Sequence, residues 1–228
     1  MPAAPLLRLF LRASGLPSLQ PPEPDDRFAR LADRVLAGDP GALEEPEVPL
    51  LDLVRWLAGH RDVLFHGSSR GDLELLEPVR LTRDASEFGD QQAVFATDDP
   101  AWALWFAVLR RDGLRSTRNG SFGIAGDPLY PRRYFFSVDD GALPDDRFGP
   151  GFLYVLPRAP FRREPARFGL DTAQWASPVA VRPLARAGVS PGDFPFLDLV
   201  LEHRREPVLA TMLRAGVRAR RHRRGRCR

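Results

Sequence analysis

Residues 92–107 read QAVFATDDPAWALWFA, and this stretch predicts a strand that is followed directly by a helix. The segment Ala93–Thr97 predicts a short strand, and Asp99 with Pro100 predicts the start of a helix, since Asp is a good N-cap and Pro suits the first helical position. The segment Ala101–Arg111 is apolar nearly all round, which is typical of a buried helix. A strand therefore leads directly into a helix inside the protein.

Short apolar segments on both sides of this stretch predict further strands, because each is short and bounded by turn residues. They are residues 63–66, 134–138, 151–156 and 179–184. One buried helix among about five short strands indicates an α+β domain rather than a doubly wound parallel sheet. The Gly-rich stretch 111–131 predicts a long surface loop that covers a site.

The remaining chain predicts three further parts. Residues 1–24 contain prolines at 17, 21, 22 and 24 and predict a Pro-rich flexible arm, because proline breaks regular structure. Residues 25–60 predict a helical cap of two helices, and residues 201–228 a C-terminal helix with an Arg-rich tail. The α+β domain then spans residues 61–200.

Composition narrows the function classes. All 33 basic residues of the 228-residue chain are Arg, against 30 acids. Eight of these Arg lie in residues 214–228, which predicts a solvated terminus able to hold an acidic or phosphate-rich partner, a protein or a nucleic acid. The single Cys227 excludes an intrachain disulfide and a Cys-rich zinc site. Apolar runs are too short for a transmembrane helix, and we expect a cytoplasmic protein with no membrane contact.

Two polar motifs accompany the strands. Val63–His66 continues into Gly-Ser-Ser-Arg, which presents an imidazole, two hydroxyls and a guanidinium at a turn where Gly67 permits close approach of a ligand. A satisfied core histidine beside a turn glycine is an equally good interpretation. Asp171–Ser177 places a polar segment with one aromatic side chain before the last predicted strand. Trp105, taken alone, belongs to a helical aromatic stripe that is typical of core.

The order of these motifs resembles the ADP-ribosyltransferase superfamily, in its diphtheria-toxin and poly-ADP-ribose-polymerase branch. That branch has a His on the first strand, an aromatic on the helix after the next strand, and a Glu late in the chain. Its second motif is Tyr-Phe-Ala followed by Ser-Ala-Asn-Tyr. The chain matches it at Phe95, Ala96 and Ala103, and Trp105 occupies the position of the stacking Tyr. The resemblance covers about residues 61–200.

The resemblance implies a split antiparallel β-sandwich with an N-terminal helical cap, and NAD as substrate with no metal. It implies that His66 bonds the ribose hydroxyl, that Gly67 holds the carboxamide, and that Trp105 stacks on the cationic nicotinamide ring. The residues expected to contact NAD are Gly67, Ser68, Arg70, Phe95, Thr97 and Trp105. Arg80 is near enough in sequence to reach a pyrophosphate, although solvated charge is the ordinary role of such an Arg.

Gln174 aligns with the catalytic Glu of the family, and here the chain departs from the pattern. An amide hydrogen-bonds a hydroxyl but carries no negative charge and is not a base at neutral pH. Three outcomes stay open: a slow or mono-ADP-ribosyltransferase, a catalytic carboxylate displaced to Asp171, or a domain that binds a nucleotide without turnover. The interpretation requires His66, Trp105 and Gln174 to converge on one cleft between two small antiparallel sheets, and it fails if Trp105 is buried away from His66.

Other function classes remain as alternatives. An RNA 2'-phosphotransferase of the same fold is one, although the chain lacks that branch's pairing of His-Gly-Thr with a late Arg-His-Gly. A non-catalytic nucleotide-binding or nucleic-acid-binding module that uses residues 214–228 is another. The sequence has no zinc-ligand cluster, no P-loop, no G-x-G-x-x-G fingerprint and no nucleophile elbow, so metal hydrolysis, kinase-type transfer and serine hydrolysis have no support.

Overall fold

The computed structural model describes residues 3–44, 46–79, 88–141, 143 and 147–226. Within those residues the protein is mixed α/β, with one six-stranded sheet, one four-stranded sheet and five α-helices. The helices are α1 Ala3–Ala13, α2 Arg27–Leu36, α3 Leu50–His60, α4 Pro100–Val108 and α5 Val208–Arg226. None of these helices is long and apolar enough to cross a membrane.

Ten strands build the two sheets. In chain order they are β1 Val63–Ser68, β2 Val94–Thr97, β3 Thr117–Ile124, β4 Arg133–Asp139, β5 Gly151–Pro157, β6 Arg162–Arg163, β7 Leu170–Asp171, β8 Gln174–Ser177, β9 Ala185–Val189 and β10 Leu201–His203. The six-stranded sheet has the order β6-β8-β2-β1-β5-β9 and the four-stranded sheet the order β10-β4-β3-β7. Every neighbouring pair is antiparallel except β10 with β4.

The pairing of β1 is uneven. Along β5 it is paired over its whole length, from Val63 with Pro157 to Ser68 with Phe152. With β2 its one register pair is Phe65 with Thr97. The two central strands therefore separate just beyond this pair, next to His66.

Helix α4 lies directly against the six-stranded sheet because two strand glycines make room for it. A Cβ on Gly67 would lie 1.9 Å from the carbonyl oxygen of Ala103, and a Cβ on Gly151 would lie 1.9 Å from that of Ala107. The predicted N-cap is confirmed, since the Asp99 carboxylate accepts a hydrogen bond from the amide of Ala101 at 3.1 Å. The helix is thus fixed at its start and pressed onto β1 and β5.

The predicted surface loop over residues 111–131 is wrong for its middle, residues 117–124, which form β3 between β4 and β7. Glycine counts against a strand in sequence, but here it makes space. A Cβ on Gly120 would lie 2.5 Å from the ring of Phe122, which stacks on Phe135 with ring centres 5.9 Å apart. The predicted strand over residues 179–184 is also wrong, because only Val181 is paired there, in an isolated antiparallel bridge with Leu76, and the strand begins later, at Ala185.

Residues 1–24 differ from the predicted flexible arm. Ala3–Ala13 form α1, and Leu11 and Leu16 are fully buried. Arg8 pairs with Asp127 at 2.6 Å, which ties the helix to the turn after β3. The four prolines that predict an arm do not interrupt this helix, because α1 ends at Ala13 and the first of the four is residue 17. Helices α2 and α3 form where the sequence predicts them.

Residues 208–226 of the Arg-rich terminus form a packed helix rather than a mobile tail. Ala215 and Ala219 of α5 are buried. The guanidinium of Arg220 bonds the carbonyl of Ala13, at the end of α1, where cations are favoured by the helix dipole. Part of the basic charge therefore stabilises the fold.

Candidate functional site

Three neighbouring strands carry the polar residues that the sequence singled out. Strand β2 lies between β1 and β8. Thr97 of β2 pairs with Phe65 on one side and with Gln174 on the other. His66 follows Phe65 in β1. The fold thus brings the His66 and Gln174 motifs onto strands that are separated by β2 alone.

The pleat nevertheless sends His66 and Gln174 to opposite faces of this sheet. Successive side chains of a strand alternate between faces, and residues paired across strands share one. Phe65 packs in the main core beneath α4, and Gln174 shares that face through Thr97. Leu64, which shares its face with His66, packs in a separate cluster on the other side. The two predicted catalytic residues do not converge.

Trp105 does not contact a ligand site, and its predicted stacking role is wrong. Its side chain is completely buried between the two sheets. Its ring lies 5.0 Å from that of Phe136, 5.9 Å from Phe148 and 5.8 Å from Phe194. Trp105 therefore packs in the aromatic core, as its position in the helical stripe of aromatic side chains predicts.

Asp171 is held by two arginines and a backbone amide, and its role as a displaced catalytic carboxylate stays a prediction. Its Oδ2 accepts from Arg132 at 2.8 Å and from Arg163 at 2.7 Å. Its Oδ1 accepts from Arg163 and from the amide of Ala173, each at 3.2 Å. Burial works to raise the pKa of Asp171, but the two guanidinium groups outweigh it and hold that pKa below its usual value.

Arg132 and Asp99 continue this network between the sheets. Arg132 donates to Ser121 Oγ at 2.7 Å and lies 3.5 Å from the carboxylate of Asp99. Asp99 also accepts from Ser121. Because Ser121 lies in β3 and Asp99 caps α4, the charged cluster joins the four-stranded sheet to the helix. We assign it to stability.

His66 is held in one tautomer. Its Nδ1 donates a hydrogen bond of 2.8 Å to the carbonyl of Phe95, which leaves Nε2 as an acceptor in the neutral ring. Burial lowers the pKa of His66, the hydrogen bond to Phe95 opposes this, and the positive charge of Arg111 adds to the lowering. The imidazole is therefore neutral at pH 7.

The other residues predicted to contact NAD make packing contacts or hydrogen bonds within the protein. Gly67 is needed for the approach of α4. Ser68 Oγ accepts from the amide of Arg70 at 3.1 Å, and Arg70 forms an exposed ion pair with Asp72 at 2.8 Å. Thr97 is buried and accepts from the amide of Asp99. Arg80 lies outside the described residues.

Sequence reasoning missed Trp175 and Asp98, which lie on the same face as His66. Trp175 pairs with Ala96 across β8 and β2, and both belong with the Leu64 cluster. Asp98 follows Ala96 by two residues, on the same face, and the Trp175 side chain is among the groups that act on its carboxyl. The strands β1 and β8 are about 10 Å apart, the span of two strand spacings.

Two arginines flank the indole of Trp175. The guanidinium carbons of Arg158 and Arg163 lie 5.4 and 5.5 Å from its ring centre, within cation–π range. Arg163 also lies 3.1 Å from Asp98. Burial raises the pKa of Asp98, and the charges of Arg163 and Arg132 oppose that effect. This face therefore combines an imidazole, an indole, a carboxyl and two guanidinium groups.

Comparison with protein-family models, with curated proteins and with solved structures finds no match to this chain. Among the residues that the structure describes, no group of three or more His, Cys, Asp or Glu side chains is placed to hold a metal ion. The candidate site rests on its own geometry.

Proposed function

We propose that the protein binds NAD on the His66 face of the six-stranded sheet and transfers ADP-ribose from it to a macromolecular acceptor. The proposal includes a sheet arrangement of the ADP-ribosyltransferase type. One observation carries it: His66 and Trp175 share a face across three adjacent strands, with the small Ala96 between them. The proposed site keeps only His66 of the set that the sequence resemblance implies; Trp175 and Asp98 stand in it instead of Trp105 and Gln174, which do not converge on His66.

Trp175 takes the stacking role that the sequence assigned to Trp105. Its indole is partly exposed, whereas that of Trp105 is fully buried. An indole face suits the cationic nicotinamide ring. Two stacked contacts of about 3.5 Å each need roughly 7 Å, and strands two spacings apart are about 10 Å from each other. The spacing of the two strands leaves room for one planar ring, which displaces an arginine from the face of the indole when it stacks.

His66 orients the ribose. Because Nδ1 is engaged by Phe95, Nε2 is the ring atom that accepts a hydrogen bond from a ribose hydroxyl. A neutral ring also avoids placing a positive charge beside the cationic nicotinamide. The lowered pKa of His66 supports this role at neutral pH.

Asp98 supplies the carboxylate that Gln174 lacks. In the transfer step the bond between the ribose C1' and nicotinamide breaks, its electron pair leaves with nicotinamide, and an acceptor oxygen or nitrogen bonds C1'. The ionised carboxylate of Asp98 stabilises the positive charge on the sugar and takes the proton of the acceptor. A raised pKa strengthens Asp98 as a base.

We assign the pyrophosphate to Arg158 and Arg163, the second of which also pairs with Asp98 and Asp171. Their side chains are 30% and 43% exposed, so both remain accessible at the edge of the indole. Guanidinium groups bind phosphate oxygens through paired hydrogen bonds. The acceptor is a protein or nucleic acid that reaches the exposed arginines of α5, among them Arg221 and Arg224, in the cytoplasm.

The test is incubation with NAD that carries separate labels on nicotinamide and on adenosine. The wild-type protein is expected to release nicotinamide, and Asp98→Asn to release it at least about 100-fold more slowly, since the loss of one group that stabilises transition-state charge costs about 10²–10³ in rate in the analogous case of an oxyanion-hole donor. Asp140→Asn, at a surface ion pair with Arg204, is the matched control and should retain the wild-type rate. Equal rates for Asp98→Asn and Asp140→Asn would remove Asp98 from the mechanism. No release and no binding by the wild type would overturn the proposal.

A further inference from the structure

A second polar centre lies in the four-stranded sheet, away from the His66 face. His203 of β10 is 2% exposed, and both of its ring nitrogens contact a serine. Its Nδ1 lies 3.0 Å from Ser137 Oγ, and its Nε2 lies 3.0 Å from Ser116 Oγ. Ser116 is 87 residues from His203 in sequence, so the fold alone brings them together.

The directions of these hydrogen bonds follow from the number of protons available, because a serine hydroxyl and a neutral imidazole can each donate only one. Ser137 Oγ donates its single proton to the carbonyl of Arg118 at 3.1 Å. It must therefore accept from His203, which places the ring proton on Nδ1. Nε2 is then an acceptor, and Ser116 donates its hydroxyl proton to it. The chain runs from the Ser116 hydroxyl through the imidazole to Ser137.

The protonation state of His203 suits a general base. Burial lowers its pKa, and the positive charges of Arg118 and Arg214 act in the same direction. The carboxylates of Glu206 and Asp139 oppose them without reversing the shift. The ring is neutral at pH 7 and free to take a proton.

Ser116 is the exposed end of this arrangement, whereas Ser137 and His203 are buried. Its position is fixed by Asp139, whose Oδ1 accepts from the amides of Arg115 and Ser116 at 3.2 and 3.3 Å. A nucleophile within hydrogen-bond reach of a base that is itself oriented by a third group is the arrangement of an activated serine.

We propose that Ser116 is a nucleophile that accepts the acyl group of an activated carboxylic ester. His203 Nε2 takes the hydroxyl proton as Ser116 Oγ bonds the carbonyl carbon. The ester C–O bond breaks with its electron pair on the leaving oxygen, which then takes the proton from His203. Ser137 is a positioning residue, because it holds the imidazole in the tautomer that accepts from Ser116.

The guanidinium of Arg115 supplies positive charge next to the reacting serine. Its Nε donates to Asp139 at 3.0 Å, and its side chain is 80% exposed. A cation beside the attacked carbonyl stabilises the negative oxygen that forms there. The site lies on the surface and suits an ester that approaches from solvent.

The test uses p-nitrophenyl acetate and an alkyl fluorophosphonate with the full-length protein. Both are expected to modify Ser116, located by mass spectrometry, and Ser116→Ala to lose that modification. Ser137→Ala should slow the reaction at least tenfold and shift its pH profile, and Ser137→Thr should restore both, whereas a purely structural role for Ser137 would leave the pH profile unchanged.

Ser69, an exposed serine in a different part of the chain, provides the matched control. Ser69→Ala should react like the wild type, and circular dichroism of each variant establishes that it is folded. Modification of Ser69 as fast as Ser116, or an unchanged rate in Ser116→Ala, would overturn the proposal. The result is independent of NAD turnover, because the site shares no residue with the His66 face.

Discussion

Trp105 and Trp175 show at the scale of single residues why motif spacing misplaced the site. Each lies in a motif that the sequence singled out, but burial separates their roles. Trp105 fills the space among Phe136, Phe148 and Phe194, whereas Trp175 remains partly exposed between two arginines. Spacing along a chain does not reveal which face of a helix or strand meets solvent.

Trp105→Ala is expected to destabilise the fold by about 3–5 kcal/mol, because it removes a fully buried indole and leaves a cavity. Urea unfolding followed by circular dichroism measures the change. Trp56→Ala, at a half-buried tryptophan stacked on His60, should cost clearly less. A loss below about 1 kcal/mol for Trp105→Ala would contradict its placement in the core.

His66 and His203 also predict the pH dependence of stability. Both have a folded-state pKa below the ordinary value of 6.5. Just below that value the unfolded chain binds more protons, so stability rises with pH there and is lost as the pH falls. Urea midpoints should decrease from about pH 7.5 to about pH 5.5, and less steeply in His66→Gln. Midpoints that increase on acidification over this range would contradict the buried neutral state.

Sequence signals such as caps and hydrophobic periodicity predict helices of this protein, but they do not predict several of its strands. Helix α2 follows from its periodicity and the start of α4 from its cap, and the structure has both at the predicted positions. Glycine is uncommon in strands, so β3 is not predicted from sequence, although Gly120 makes room there for the rings of Phe122 and of Phe135 on β4. Strands β6 and β7 have two residues each, which is too short for an alternating pattern. Strand pairing is a tertiary property.

The contact of α4 with the sheet gives an element-scale prediction. Gly151→Ala should destabilise the protein by about 1–3 kcal/mol, since the new methyl would meet the carbonyl of Ala107 and force the helix outward. Gly188→Ala on β9 is the matched control, because nothing lies near its Cβ, and it should change stability by less than about 0.5 kcal/mol. Equal effects in thermal unfolding would contradict the close packing.

At the scale of the whole molecule, the two ends of the chain meet and support the second sheet. A Cβ on Gly216 of α5 would lie 1.8 Å from the carbonyl of Ser14, and Leu16 packs with Phe135 and Ala215. Charge counting predicted a basic terminus but not its docking, because the small residues Ala215 and Ala219 give a weak apolar stripe.

Deletion of residues 208–228 is therefore expected to destabilise the fold as well as remove charge. A loss of about 2 kcal/mol lowers the melting temperature of a chain of this size by about 4–8 °C. Calorimetry on the truncated protein measures it. An unchanged melting temperature would show that the terminus is only a basic extension.

The candidate site was predictable in part. The sequence placed His66 at the end of a predicted strand, but it placed the late polar motif before a strand, whereas the structure has Gln174–Ser177 as β8, two positions from β1. It could not assign faces, because a one-residue offset in β8 exchanges Gln174 for Trp175. Register is set by tertiary pairing, which one chain without its structure does not reveal.

The most direct test of the site on the His66 face is a calorimetric titration of NAD into Trp175→Ala and into Trp56→Ala. Both changes remove a partly exposed indole that has an arginine over its ring. A stacking indole contributes about 1–2 kcal/mol, so Trp175→Ala should bind NAD about 5- to 30-fold more weakly than the wild type. Trp56→Ala should bind NAD like the wild type. Equal NAD affinity in both variants and in the wild type would contradict the stacking of nicotinamide on Trp175.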